Sequence, residues 1–279
     1  MTQIIKEIDN IISQEHSVIV PTMGSLHDGH KSLIEIAKKT NNKVIVSIFV
    51  NEKQFNDQND FKNYPRNEQK DLEILSDLEV DYVFLPENDY IYPFNEFENI
   101  TSGNVGSIYE GHFRPGHFDG VLTVVKRLFD LVNPDLAVFG KKDAQQLFLI
   151  KNMIQSYNMN IEIIEAPTVR SSSGLALSSR NNLLDDTHLE IASSINKILK
   201  SISENITSGK EILQSLNIGI QEFENNNHIE LEYLDIVNSQ NFSNDIQSSS
   251  NLLLIFAGYI NGVRLIDNLL IVLIRLYIS

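Results

Sequence analysis

Two histidines three residues apart, His27 and His30, lie in Met23-Gly-Ser-Leu-His-Asp-Gly-His30. The segment follows an apolar run, Ser17-Val-Ile-Val20, and opens a helical pattern with Leu33, Ile34 and Ala37 on one face. Gly24 and Gly29 would let backbone come close to a ligand. A helix N-terminus presents unpaired N–H groups and a partial positive charge, which suits phosphate. Both imidazoles can donate hydrogen bonds to phosphoryl oxygens, more strongly when protonated. The plainer alternative is that one histidine caps the turn and the other lies on the surface. A zinc site is disfavoured, because the two histidines with Asp28 have no further strong ligand nearby in the sequence.

Four further segments carry similar chemistry. Gly140-Lys-Lys-Asp143-Ala-Gln-Gln146 also runs from a strand signal into a helix. Lys142 supplies a point charge for phosphate, and Asp143 can cap the helix or bind a ribose hydroxyl or a hydrated metal ion. Gln145 and Gln146 offer amides for hydroxyls and carboxylates. Leu177-Ser-Ser-Arg180 combines two hydroxyls with a guanidinium, which suits pyrophosphate, or else it is an ordinary Ser-rich linker. Phe49-Val-Asn51-Glu-Lys-Gln54-Phe55 places two amides after a buried strand. Gly111-His-Phe-Arg114-Pro-Gly-His117-Phe-Asp-Gly120 adds positive charge on a fixed loop, unless His117 only caps the next helix.

These segments must be held by regular elements. Val44–Val50, Tyr82–Leu85, Leu136–Phe139 and Ile161–Ile164 read as strands. Glu68–Glu79, the run from Val121 to Val132, and Ala144–Tyr157 read as helices. Alternating strands and helices predict an α/β fold, a Rossmann-like doubly wound parallel sheet over residues 1–168. Ligands of such sheets bind beyond the carboxyl ends of the strands, which gathers the loops above at one edge. Residues 169–279 read as a smaller C-terminal α+β lid domain, with Ser171-Ser-Ser-Gly174 as the joint. Its helices are Leu184–Ile206 and Lys210–Phe223. Its strands are Glu230–Val237, Leu252–Ala257 and Val263–Ile266, with Gly258 and Asn261-Gly262 as turns and Ser239–Asn251 as a loop. The tail, Leu269–Ser279, is unusually apolar.

Composition narrows the field. Of 279 residues, 22 are Lys or Arg and 37 Asp or Glu, a net charge of −15, which disfavours broad contact with nucleic acid or an anionic membrane. No cysteine is present, which excludes disulfides, cysteine-ligated metals and a thiolate nucleophile. The longest apolar runs fall short of the ~18–20 residues of a membrane helix. No basic start leads into an apolar core near Met1–Asn10, so no signal peptide is expected and the location is cytoplasmic.

Taken together, Pro21–His30, Phe49-Val-Asn51 with Gln54-Phe55, Tyr64-Pro-Arg66, Arg114–Gly120, Gly140 with Lys142-Asp143 and Gln145-Gln146, Leu177–Asn181 and Leu265–Asn268 resemble the pantoate–β-alanine ligase family, in order along nearly the whole chain. The His-x-Gly-His element alone resembles only the wider nucleotidyltransferase superfamily. The resemblance implies two steps. Pantoate attacks the α-phosphorus of ATP to give pantoyl adenylate and pyrophosphate, and β-alanine then displaces AMP to give pantothenate. It implies ATP as substrate, Mg²⁺, a homodimer, and small-molecule partners with no nucleic acid and no membrane.

By the same resemblance His27 and His30 bind phosphate, with His30 at the proton-donor position, and Lys142 and Arg180 join them in catalysis. Met23, Gly24, Ser25, Leu26, Asp28 and Gly29 line the nucleotide site. Gly140, Lys141, Lys142, Asp143 and Val169 hold adenosine, and Leu177, Ser178, Ser179 and Arg180 close over pyrophosphate. Gln54 and Gln146 bind pantoate, and the resemblance sets Asn51 and His117 beside them as substrate contacts. No residue is assigned to a protein-bound metal. Glu52 stands where the family usually has Pro, and Lys141 where Glu is common. Three other readings compete. An adenylyltransferase would need more basic residues and not the Gln54/Gln146 pair. A catalytically dead binding protein would have lost one of His27, His30, Lys142 or Arg180. A tRNA-acting enzyme is disfavoured by the charge and by the absence of an anticodon-binding extension.

Overall fold

Alternation along one strand shows how the first unit is built. In Ser17–Thr22, Val18 and Val20 face one side and Ile19 the other, and all three are fully buried. A strand covered on both faces belongs inside a parallel sheet between two helical layers. The computed structural model describes residues 2–9, 12–94, 97–247 and 249–273.

Strands β1 (Gln3–Ile5), β2 (Ser17–Thr22), β3 (Lys43–Ile48), β4 (Tyr82–Phe84), β5 (Leu136–Gly140) and β6 (Glu162–Ala166) form one parallel sheet in the order β1-β4-β3-β2-β5-β6. The helices between them are α1 (Asp28–Lys38), α2 (Gln58–Asn63), α3 (Glu68–Asp77), α4 (Asn88–Ile91), α5 (Glu110–Phe113), α6 (His117–Val132) and α7 (Ala144–Ser156). One layer buries Ile19, Ile45 and Ala137 with Val125, Leu128 and Ile150 of α6 and α7. The other buries Val18, Val46 and Val138 with Ile34 of α1 and Leu75 of α3. Each such side chain contributes ~1.5–3 kcal/mol on burial. From β2 the chain proceeds through β3 and β4 to one side, then crosses back to β5 and β6 on the other. That reversal opens a crevice at the carboxyl ends of β2 and β5. The Rossmann-like class read from the sequence is what the sheet shows.

β1 was not legible in the sequence. It has three residues, lies at the sheet edge beside β4, and is too short to show a period.

Contacts divide the chain into residues 1–141 with 145–168, and residues 142–144 with 169–279. The second unit contains α8 (Asp186–Thr207), α9 (Ile212–Glu224), and an antiparallel sheet of β7 (Ile229–Asn238), β8 (Asn251–Ile260) and β9 (Val263–Val272), in that order. Ile195, Leu199 and Ile202 of α8 cover this sheet, and Phe223 stacks on Phe256 with ring centres 4.7 Å apart. Asn261 and Gly262 both have positive φ, the mark of a two-residue hairpin turn. Gly258 is not the turn expected from its residue type. It lies inside β8 beside an irregularity in β7, where an added Cβ would stand 2.9 Å from both the Glu230 carbonyl and the Phe256 ring. Of the apolar tail, Leu269–Val272 completes β9, with Ile271 buried and Leu270 and Val272 exposed; residues 274–279 lie outside those described. Among the described residues no helix is long and apolar enough to cross a membrane.

Candidate active site

His27 and His30 meet at the start of α1, with ring centres 4.1 Å apart. His27 is the N-cap, and its Nδ1 accepts from the Gly29 N–H at 3.1 Å. The His30 Nδ1 accepts from the His27 N–H at 3.4 Å. The two rings thus form a reciprocal capping box. Each Nδ1 is an acceptor, so each neutral ring carries its proton on Nε2, a tautomer assigned from this network. Capping and phosphate binding are therefore not alternatives here. The cap fixes both rings with an N–H donor at the opposite edge.

The turn before them is built around Asp71 of α3. Its carboxylate is buried and accepts from Ser25 N and Leu26 N, both at 2.7 Å. Gly24 and Ser25 take consecutive positive φ values of 78° and 52°. A Cβ on Gly24 would stand 2.9 Å from Asp71 Oδ2. The bare backbone of Gly24 thus makes room for an internal carboxylate. The Gly24 N–H itself is held by Thr22 Oγ1 at 3.2 Å. The amides of residues 24–26 are thus satisfied within the protein. Asp28 is exposed and pairs with Lys31 at 3.0 Å.

Gln54 ends a short 3₁₀ turn, Glu52–Gln54, after β3. Its Nε2 points at Met23 Sδ, 3.0 Å away, and its Oε1 accepts from Asn51 Nδ2 at 3.1 Å. Asn51 has no exposed surface, and its Nδ2 also donates to the Gly120 carbonyl at 3.0 Å. Its Oδ1 accepts from Tyr92 Oη at 2.7 Å and from Lys53 N at 3.3 Å. His117 is buried beneath, with Nδ1 2.8 Å from the Gln54 carbonyl and Nε2 3.0 Å from Arg114 Nη1. A carbonyl only accepts and a guanidinium only donates, so this ring is neutral with its proton on Nδ1. Asn51 and His117, expected beside the substrate, are thus both engaged with protein groups in this structure. Both are buried with their polar atoms spent on the protein, and what they hold is Gln54.

The two adjacent glutamines of α7 part company. Gln145 is buried, accepts from Glu110 N, and donates to the carbonyls of Val105 and Ile108. It ties a loop down and is not the ligand-facing amide expected. Gln146 is half-buried, and its side-chain amide has no hydrogen-bond partner among the described residues. Gly140 ends β5, and Lys141 pairs with Glu165 at 3.3 Å.

Within the second unit, the Lys142 ammonium lies 3.5 Å from Asp143, and its carbonyl accepts from Asn268 Nδ2 at 2.7 Å. Next to Asn268, Asp267 grips Arg170 by two hydrogen bonds, 2.6 and 2.8 Å. Val169 accepts from Leu177 N at 2.9 Å, which sets the entry to Ser178, Ser179 and Arg180. Ser178 caps the 3₁₀ turn Ser179–Leu183, its N–H donating to Asn181 Oδ1 at 2.6 Å. All three residues are half-buried.

A family model described as pantoate-beta-alanine ligase matches residues 1–270. The chain belongs to the pantoate–β-alanine ligase family. The pantothenate synthetase of Fervidobacterium nodosum is 40% identical over 252 residues, 90% of each chain. The crystal structure of pantothenate synthetase from Thermus thermophilus superposes with a TM-score of 0.89 at 34% identity, covering 96% of this chain and 98% of that one. The pantoate-beta-alanine ligase from Francisella tularensis, complexed with beta-gamma ATP and beta-alanine, has a TM-score of 0.79 at 38% identity and covers 97% and 98%.

As a pantoate–β-alanine ligase, the chain is a ligase whose departures from the family pattern can be placed. Glu52 opens the 3₁₀ turn as its first residue, where an N–H has no helical partner in any case, and its exposed carboxylate accepts from Gln58 at 3.2 Å. A missing proline therefore leaves the Asn51–Gln54 geometry in place. Two supporting residues escaped the sequence reading. Asp71 had a signal: it falls on the Leu75/Leu78 face of α3, a carboxylate on an apolar stripe. Tyr92 had none, because its partner is 41 residues away.

Proposed function

We propose that this pantoate–β-alanine ligase joins pantoate to β-alanine through an enzyme-bound pantoyl adenylate. A pantoate carboxylate oxygen attacks the α-phosphorus of ATP, and the bond to pyrophosphate breaks. The β-alanine amine then attacks the acyl carbon, loses a proton, and AMP departs. No protein nucleophile is needed, which accords with a chain lacking cysteine. The work is positioning and charge stabilisation.

The observation that carries the reading is the His27/His30 box, which turns two Nε2–H donors away from the backbone they cap. In this reading they bind phosphate, and His30 donates to the developing charge. Met23, Gly24, Ser25, Leu26, Asp28 and Gly29 shape the nucleotide loop. Gly140, Lys141, Asp143 and Val169 hold adenosine, and Lys142 meets phosphate. Ser178, Ser179 and Arg180, with Leu177, bind the leaving pyrophosphate, and residues 169–279 serve as the lid. Gln54 and Gln146 bind pantoate. Asn51 and His117 act from behind Gln54.

Mg²⁺ would accompany ATP. Among the described residues no three His, Asp or Glu side chains converge to hold a metal, and Asp143 would approach the ion through water. The ion supplies charge neutralisation on the phosphates. In this reading the enzyme works as a homodimer in the cytoplasm. The test is incubation with ATP, Mg²⁺, pantoate and β-alanine. Pantothenate and AMP should form in equal amounts, and ATP consumption without pantothenate would overturn the reading.

A further inference from the structure

An amide side chain can offer a substrate either its donor or its acceptor end. At Gln54 the choice is made by neighbours. Gln54 Oε1 is taken by Asn51 Nδ2 at 3.1 Å, which leaves the Nε2 donors at the other end, one of them 3.0 Å from Met23 Sδ. Asn51 is held in the donating orientation from both ends: its Nδ2 also donates to the Gly120 carbonyl at 3.0 Å, and its carbonyl end accepts on the other side. That end receives the Tyr92 hydroxyl at 2.7 Å, the shorter of its two hydrogen bonds, the other being Lys53 N–H at 3.3 Å. Tyr92 is in turn fixed. Its ring lies against Phe49 and Phe97, and the Lys53 ammonium sits 5.1 Å from its centre. Burial pushes its hydroxyl above the ordinary range, more than the Arg127 charge draws it back, so it remains a donor.

We infer that Tyr92 is a positioning residue for the ligase reaction. Its hydroxyl, acting through Asn51 together with the Gly120 carbonyl and the Lys53 N–H, holds the polarity of the Gln54 amide, so that pantoate is met by N–H donors. Hydrogen bonds in such a chain polarise one another, so loss of the first loosens the last. The substrate atoms this arrangement selects are acceptors, the carboxylate and hydroxyl oxygens of a small hydroxy acid. The inference rests on the assignment of Gln54 to pantoate made above.

The experiment is a double-mutant cycle on the full-length enzyme, with pantoate KM, ATP KM and kcat measured separately. Tyr92→Phe keeps the ring and removes the hydroxyl. It should raise pantoate KM about tenfold, the scale of one buried hydrogen bond, and leave ATP KM within about twofold. In a Gln54→Ala background the same change should add less than about twofold, because the group it orients is gone. If Tyr92→Phe does not fold, Asn51→Asp carries the test. A carboxylate there cannot donate to Gln54, so its amide reverses and pantoate KM rises further than in Tyr92→Phe. An unchanged pantoate KM in Tyr92→Phe, or a full tenfold loss on top of Gln54→Ala, overturns the inference while leaving the ligase reading intact. A Gln54→Ala enzyme with normal pantoate KM overturns the Gln54 assignment and the inference with it.

Discussion

The side-chain amide of Asn268, on the last strand, donates to the backbone carbonyl of Lys142 at 2.7 Å, across 126 residues of sequence. Lys142 follows β5 in the chain, yet it is packed with the C-terminal unit. The Leu265–Asn268 segment thus has a physical role: Asp267 clamps Arg170, and Asn268 fixes the backbone that carries the lysine.

Asn268→Ala therefore should act on ATP and not on pantoate. Loss of one buried hydrogen bond predicts a rise in ATP KM of roughly five- to tenfold, the equivalent of ~1–1.5 kcal/mol. Steady-state kinetics with each substrate varied in turn checks it. An equal change in both KM values would contradict it.

Asp71 predicts a stability effect. Asp71→Ala leaves the Ser25 and Leu26 N–H groups without their acceptor in a buried place. At ~1–3 kcal/mol for each unsatisfied group, the loss should be about 2–4 kcal/mol once water relieves part of it. Asp71→Asn retains one acceptor and should fall between. Urea midpoints of the three proteins give the comparison.

His30 has two roles that one substitution separates by magnitude. His30→Ala removes a cap, worth ~0.5–2 kcal/mol of stability. It also removes a donor to developing charge, worth about 10²–10³ in kcat. The protein should remain folded with a modestly lower Tm and almost no pyrophosphate release. Circular dichroism and a pyrophosphate assay on the same sample read both.

Glu165 gives a pH prediction. Its hydrogen bond with the Lys151 ammonium, 2.5 Å, and its pairing with Lys141 outweigh burial and hold its carboxyl below the ordinary 4.5. Folding therefore favours the ionised form. The stabilisation is complete well above pH 4.5 and is lost as the pH falls through and below that value. The Tm of Glu165→Gln should lie below wild type at neutral pH, and the gap should close in acid.

Much of this was written locally in the sequence. β2 and β3 announce themselves because a strand buried on both faces needs Val and Ile at nearly every position, and α6 because Val121, Val125, Leu128 and Val132 share one face. His27, His30, Gln54 and Gln146 are marked by residue type and by their place after strands. The polar supports are another matter. Asn51 and His117 look like ligands, because an amide and an imidazole after a strand have the same appearance whether they face substrate or protein. Their protein partners, Tyr92 and Gly120 for Asn51 and the Gln54 carbonyl for His117, come from distant segments that no local pattern announces. Gly258 misled for a related reason. Its missing side chain makes room for a neighbouring strand and not for a change of chain direction.

The central claim is that the acyl group is activated on AMP before β-alanine takes part. The most direct measurement is exchange of labelled pyrophosphate into ATP. Exchange should require pantoate and Mg²⁺, proceed without β-alanine, and vanish in Lys142→Ala. Exchange that appears only when β-alanine is added, or none with pantoate while pantothenate still forms, would contradict the account.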